Sequence, residues 1–394
     1  MKKTMTLGLV SIAASAMLVG CGGGSSNNGG NGTGNGNGGN ANGNGNGGAT
    51  QGYKAQFKAR SIGDQVEELM GGIIGIVDEV GHGKMADPLG EDIAHADTTK
   101  VESQFSWNST MDFYNNILSV KHVCEGGLEK IAKKVDAAKE EDIDDTLKDA
   151  LSLIVAISDF DGDGKLTTSD LIANNGEMAF RNQILNAEGR AKIQAAMDKL
   201  AELQTKLETF QPMITSDATE ADKAETAEVV DNVIVKGYNN LGTEAGKLET
   251  ALTALKVNPT AQTVQAARDQ WRATRKYWEA GEGHIFGPVD TLGVDPKVDS
   301  WPVDKTQLDG ALAGWDPEFS NIDGFPVTMK GFHAIEYLLF GDGTTLEDPA
   351  DAATRLQQPV GDEDTAEDKI RLQYLEALGK TFAKDIKSLT DAWK

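Results

Sequence analysis

The chain has 394 residues, with 37 Lys and Arg against 61 Asp and Glu, for a formal net charge of −24, and only two cysteines. That balance excludes recognition of nucleic acid or of an anionic lipid surface through a basic face, and it suits either cation binding or a solvated acidic exterior. The length beyond the N-terminal segments holds one large domain or two small ones.

Residues 1–20 read as an export leader. Lys2 and Lys3 precede an apolar, small-residue run from Met5 to Leu18, which ends in Leu18-Val19-Gly20-Cys21. A charged start, a short apolar core and small residues before a cut site describe a cleaved signal and not a membrane span. The cysteine at the cut site resembles a bacterial lipoprotein signal, and the resemblance implies lipidation of Cys21. Gly22, rather than Asp, after that cysteine favours the outer membrane, facing the periplasm or the surface. From Gly22 to Gly52 the chain is almost entirely Gly, Asn and Ser. Such a segment has nothing with which to build a core, so the expectation for 21–52 is a disordered tether with a reach of roughly 30 Å. With Cys21 lipidated, Cys124 has no intrachain partner and is expected as a small buried residue.

Beyond the tether the chain reads as all-α. Ile143 to Ile157 carries helical periodicity and runs into Asp159-Phe-Asp161-Gly-Asp163-Gly164-Lys165-Leu166-Thr167-Thr168-Ser169-Asp170. Asp159, Asp161, Asp163 and Thr167 supply oxygens at loop positions 1, 3, 5 and 9. Lys165 offers a backbone carbonyl, and Gly164 stands at the sharp turn, which is the spacing of an EF-hand calcium loop. Position 12 is Asp170 where Glu is usual, and the shorter carboxylate predicts weak affinity; the plainer reading is an Asp-rich turn. Ala191 to Phe210 places Ile193, Met197, Leu200, Leu203 and Leu207 on one stripe of a long helix. Thr215 to Asp231 is polar and reads as a link between a bundle at 53–220 and a second at 221–394. In the second, Val264, Ala267, Trp271, Trp278 and Glu282 fall on one helical face. A carboxylate there needs a partner, either Arg275 in a buried salt bridge or a metal. Gly331 to Phe340 reads as a helix stopped by Gly341, with His333 and Glu336 three apart and able to reach one ion. His122 and Glu125 repeat that spacing, which is read as chance. Lys369 to Trp393 is the last helix.

Gly331-Phe-His333-Ala-Ile-Glu336 resembles the G-x-H-x-x-E signature of the imelysin family. So do Ala267-Arg268-x-x-Trp271-x-x-x-Arg275, the Glu and Phe286-Gly-Pro288 that follow, and Asp299-Ser-Trp301-Pro302. Glu68-Leu-Met-Gly71, Glu79 to Met85 and Glu102 to Phe113 resemble the family's second half, yet here they come first, so the order is that of a circular permutation. The resemblance implies two packed helical bundles with a site between them. His333 and Glu336 would be metal ligands, Glu282 a third, and Asp299 or Asp304 supporting acids. One imidazole with carboxylates suits iron and can hold zinc. The leading expectation is a cell-envelope, lipid-anchored metal-binding protein for iron uptake, with an unidentified transport partner. The alternatives are a zinc metallopeptidase and a binding scaffold with a vestigial site.

Overall fold

A computed structural model describes residues 52–313, 322–360 and 369–394. The leader, Cys21 and nearly all of the Gly/Asn segment lie outside the described residues. Helix α1, Ile62–Asp78, starts where the Ser61 hydroxyl accepts the Asp64 amide at 3.2 Å, an N-cap that satisfies an otherwise orphaned donor. It continues into a wider, π-turned segment, Glu79–Met85. Helices α2 (Ser109–Val123), α3 (Glu129–Ser158), α4 (Thr168–Gly176) and α5 (Ala187–Asp217) follow. Next come α6 (Lys236–Val257), α7 (Ala261–Glu279), α8 (Gly331–Phe340) and α9 (Ile370–Trp393). No strand occurs among the described residues, and none of their helices is long and apolar enough to cross a membrane.

The apolar stripes decide the packing. On α5, Ile193, Leu200, Leu203 and Leu207 are buried and Met197 partly so, and this face meets α3 and α1, while α2 covers α3. In the C-terminal part α6 pairs with α7 and with α9, and α8 lies against both α7 and α9. The polar stretch Thr215–Asp231 is not a free link. It is taken up by the end of α5 and by a helix at Lys223–Glu228. Within it Thr226 is buried and its hydroxyl donates to Gln65 Oε1 at 2.5 Å.

The two helix groups meet where α2 crosses α7. Beside that crossing the turn Glu282–His284 lodges against α1 and α2. The Gly283 amide donates to Ser119 Oγ at 2.9 Å. A Cβ on Gly72 would lie 2.5 Å from the Gly283 carbonyl oxygen, and one on Gly283 would lie 2.5 Å from Ser119 Oγ. Only hydrogen fits at either position, so these two glycines set how closely the groups approach. One apolar core runs through both, and the described residues form a single unit.

Gly72→Ala is expected to destabilise the protein by about 1–3 kcal/mol, the usual range for overpacking. Gly75, in the same helix, has nothing within 4 Å of an added carbon, so Gly75→Ala is expected to stabilise by about 0.5–1 kcal/mol through backbone entropy. Urea unfolding of both variants checks the contrast; equal midpoints would mean that the turn yields without cost.

Candidate metal centre

Three segments bring the charged groups together. Helix α7 turns Arg275 and Glu279 inward, α8 turns His333 and Glu336, and the turn-rich segment 101–109 brings Glu102 from 231 positions before His333. That segment is held against its own preference, since Ser103 and Trp107 have φ of 46° and 61°, a region that bulky residues rarely occupy. Trp107 is pinned by its indole N–H, which donates to the Gly343 carbonyl at 2.9 Å.

His333 is fixed from one side. Its Nδ1 lies 2.9 Å from Glu336 Oε2. Glu336 Oε1 accepts the Phe105 amide at 3.0 Å, the Ser106 amide at 2.7 Å and the Ser106 hydroxyl at 2.7 Å. A carboxylate that orients an imidazole in this way leaves the other ring nitrogen facing the centre, the usual arrangement behind a metal-bound histidine. That nitrogen, Nε2, is 3.1 Å from Asp299 Oδ1 and 3.9 Å from Glu102 Oε1. Glu102, Asp299 and His333 can each offer a ligand atom, with all three atoms within 4.8 Å of one another. Glu279, Glu282 and Asp299 form a second such group.

Arg275, fully buried, lies between these carboxylates. Its guanidinium contacts Glu102 at 2.7 Å, Glu279 at 2.5 Å and Asp112 at 3.6 Å, and donates to Asp299. Trp278 adds an indole N–H to Asp299 Oδ2 at 2.6 Å. Lys84 Nζ sits 2.7 Å from Glu282, 3.3 Å from Glu102 and 3.7 Å from Glu279. Asn116 donates to Glu279 Oε2 at 2.5 Å and to Glu282 Oε2 at 3.0 Å.

Acids outnumber bases. Glu102, Asp112, Glu279, Glu282 and Glu336 are buried with Lys84, Arg275 and His333, and the Asp299 side chain is only 4% exposed. Burial raises Glu279 and Glu282 well above the ordinary carboxyl range, against the pull of Arg275 and Lys84, and holds Asp112 at about 6. Asp299 goes the other way: Arg275 and His333 outweigh its burial and lower it. For His333, burial and Arg275 oppose the imidazolium, but the hydrogen bonds to Asp299 and Glu336 outweigh them and raise it to about 9. His333 Nε2 faces Asp299 Oδ1 at 3.1 Å, and buried oxygens without a hydrogen bond include Glu102 Oε2 and Asp112 Oδ2. An excess of acid, with carboxylate oxygens left short of donors, fits a cation.

The sequence-derived residues are thus only partly joined in one group. His333 and Asp299 converge. Glu336 sits behind the imidazole. Glu282 does not lie on the α7 face: α7 ends at Glu279, the chain turns at Gly281, and Glu282 pairs with Lys84 while Arg275 takes Glu279. Asp304 is exposed and caps the helix Lys305–Leu312 by accepting the Gln307 amide at 2.9 Å. His122 and Glu125 belong to no metal-capable group among the described residues. Glu102, Glu279 and Lys84 were not singled out from the sequence. The i to i+4 spacing of Arg275 and Glu279 was the available signal for one of them.

The 159–170 loop joins α3 to α4. Gly162 and Gly164 both have φ of 76°, the left-handed turn expected at Gly164. Asp159 Oδ1 and Oδ2 accept the Gly162 and Gly164 amides at 2.8 and 3.0 Å, and Asp161 Oδ1 accepts the Asp163 amide at 3.1 Å. Asp163 Oδ1 accepts the Lys165 amide, and its Oδ2 accepts from Lys165 Nζ, both at 2.9 Å. Asp170 Oδ2 accepts the Thr167 amide at 2.7 Å. Asp159, Asp161 and Asp170 can present oxygens within 4.8 Å of one another. Cys124 is free and only partly buried, and its enclosed thiol is pushed up to about 12 by burial.

Comparison with known proteins gives a family. The imelysin (M75 peptidase) family model matches residues 42–207 and 234–394. Iron-regulated protein A of Synechococcus elongatus is 42% identical over 111 residues, which is 28% of this chain and 30% of that protein; the match spans less than a third of that relative. The crystal structure of an imelysin peptidase from Bacteroides ovatus superposes with a TM-score of 0.63 at 27% identity, covering 75% of this chain and 86% of that one.

The raised His333 pKa has a sign that can be measured in chelator-treated protein. A group near 6.5 when unfolded and about 9 when folded stabilises the fold below pH 6.5, and that stability is lost as pH rises through 9. The loss is expected to be up to about 3 kcal/mol, at 1.36 kcal/mol per tenfold, and to be absent from His333→Gln. An equally steep fall in the variant would assign the pH dependence elsewhere.

Proposed function

The chain belongs to the imelysin family, and on that footing we propose that it is a cell-envelope protein that binds a transition-metal ion, iron foremost, for uptake. The observation that carries this reading is the clamped imidazole, with His333 Nε2 aimed at Asp299 and Glu102 while Glu336 holds Nδ1. His333, Asp299 and Glu102 would hold the ion; Glu336 would orient His333, and Glu282 with Glu279 would add negative charge. The likeness to Iron-regulated protein A supports iron. The family name and the structural neighbour favour peptide hydrolysis as the second reading, with zinc as the ion proposed for it. That reaction needs an open ligand position and a free general base. Glu336 is poorly suited to be the base, because its two oxygens already meet His333 and three donors.

Isothermal titration with ferrous, ferric and zinc ions tests the centre. His333→Ala and Asp299→Asn are expected to lose most binding, and Glu336→Gln to weaken it about 10–100-fold, as removal of an orienting partner does. Equal binding by wild type and His333→Ala would remove the site. Hydrolysis of unfolded protein, abolished in Glu336→Ala, would promote the peptidase.

Two further parts belong to the same reading. Calcium is proposed in the 159–170 loop, with Asp159, Asp161, Asp163, the Lys165 carbonyl and Asp170 as ligands. Millimolar calcium is expected to raise the melting temperature by mass action, and Asp159→Ala with Asp161→Ala to abolish the rise; no shift in wild type leaves an ordinary turn. Anchoring through a lipid on Cys21, at the outer membrane, is proposed from the leader pattern. Cys21→Ser is expected to move the protein from the membrane to the soluble fraction, and unchanged fractionation would refute the anchor. The motif order further suggests a permuted arrangement of the family's halves. An alignment on the Bacteroides structure in which both halves fall in unswapped order would refute it.

A further inference from the structure

Lys84 is the one cation of the centre with a way out. Its side chain is 6% exposed, and its ammonium stands among three buried carboxylates, Glu282, Glu102 and Glu279. A fourth contact, at 3.8 Å, is Glu79 Oε1, whose side chain is 59% exposed. Arg275 has no such neighbour: the side chains of all four of its carboxylate partners are at most 4% exposed. Lys84 also sits in the π-turned segment Glu79–Met85, between Gly83 and Met85; such widened turns recur at functional positions. Asn116 Oδ1, 3.3 Å away, is its remaining partner.

Glu102 makes the conflict. Its Oε2 lies 3.3 Å from Lys84 Nζ, and it is also one of the three residues able to hold an ion with Asp299 and His333. An ammonium and a divalent ion sharing one carboxylate in a site sealed from water repel each other strongly, because screening there is weak. An unbranched lysine stem can rotate away, and its charge is then received by Glu79 at the surface.

We propose that Lys84 is a displaceable internal cation: its ammonium holds the carboxylates of Glu102, Glu279 and Glu282 together when no metal is bound, and a divalent ion expels it toward Glu79. This rests on the metal-binding reading. Lys84 is then a residue that sets affinity and release, since the ion must compete with a tethered charge, and returning the ammonium helps to eject the ion.

Zinc is the probe, used on the full-length protein. Lysine acetylation read by mass spectrometry, with and without zinc, is expected to rise severalfold at Lys84 on zinc binding. Lys84→Met is expected to bind zinc about tenfold more tightly, as loss of a competing charge predicts. Zinc bound by wild type with Lys84 acetylation unchanged, or bound no more tightly by a folded Lys84→Met, overturns the inference and leaves the metal reading standing. Zinc bound by neither protein overturns both. If Lys84→Met does not fold, with Glu282 left unpaired, acetylation of the wild type decides.

Discussion

A guanidinium closed off from solvent is the constraint around which the centre is arranged. Desolvating Arg275 is costly, and its return comes from Glu102, Glu279, Asp299 and Asp112 around its edges, with the Phe332 ring under its face, 5.0 Å from centroid to Cζ. The planar fork of arginine can serve several carboxylates in one plane and still stack on a ring, which a lysine ammonium cannot do. Removing one member of such a cluster leaves an uncompensated buried charge, typically at about 3–5 kcal/mol. Helix α7, helix α8 and the 101–112 segment must therefore all be docked for any of them to be stable in place. The cluster is in this sense a structural element of the fold.

The same arrangement explains the hydrogen-bonded state of the acids. Glu279 and Glu282 hold protons more tightly than exposed carboxyls because burial penalises their charge. Any cation bound beside them would compete with protons, so occupancy and protonation would form a single coupled equilibrium. Histidine alone would be a poor anchor in such a site. With Glu336 fixed by the Phe105 and Ser106 amides, the imidazole is already turned before an ion arrives.

Much of the architecture was legible because it is periodic. The stripe through Ile193, Leu200 and Leu207 specified a long amphipathic helix, and Gly341 marked the end of α8 with φ of 84°. The pair His333 and Glu336 was legible too, since three residues on a helix share a face. What periodicity could not give was the division of labour between them, which depends on amides 230 positions away. Glu282 was assigned to the α7 face because the helical count was continued past Glu279. The chain instead turns at Gly281, and the tight fit of Gly283 against Ser119 stabilises the turn. Glu102 lies in irregular backbone with left-handed Ser103 and Trp107, where no repeat announces a ligand. Lys84 was silent for a related reason: a lysine in a glycine-rich amphipathic stretch ordinarily points to water, and only the packed acids reverse that.

The distance in sequence between Glu102 and His333 also has a temporal meaning. A chain is made from its N-terminus, so Glu102, Asp112 and Lys84 exist long before Arg275, and Arg275 before His333. During synthesis and any passage through a translocation channel, the early acids have neither their guanidinium nor their imidazole, and the 101–109 segment lacks the Gly343 carbonyl that pins Trp107. No selective ion pocket can form on a partial chain of this order. Any ion held by this cluster would consequently be drawn from the compartment in which the last helices dock, wherever the first residues were translated.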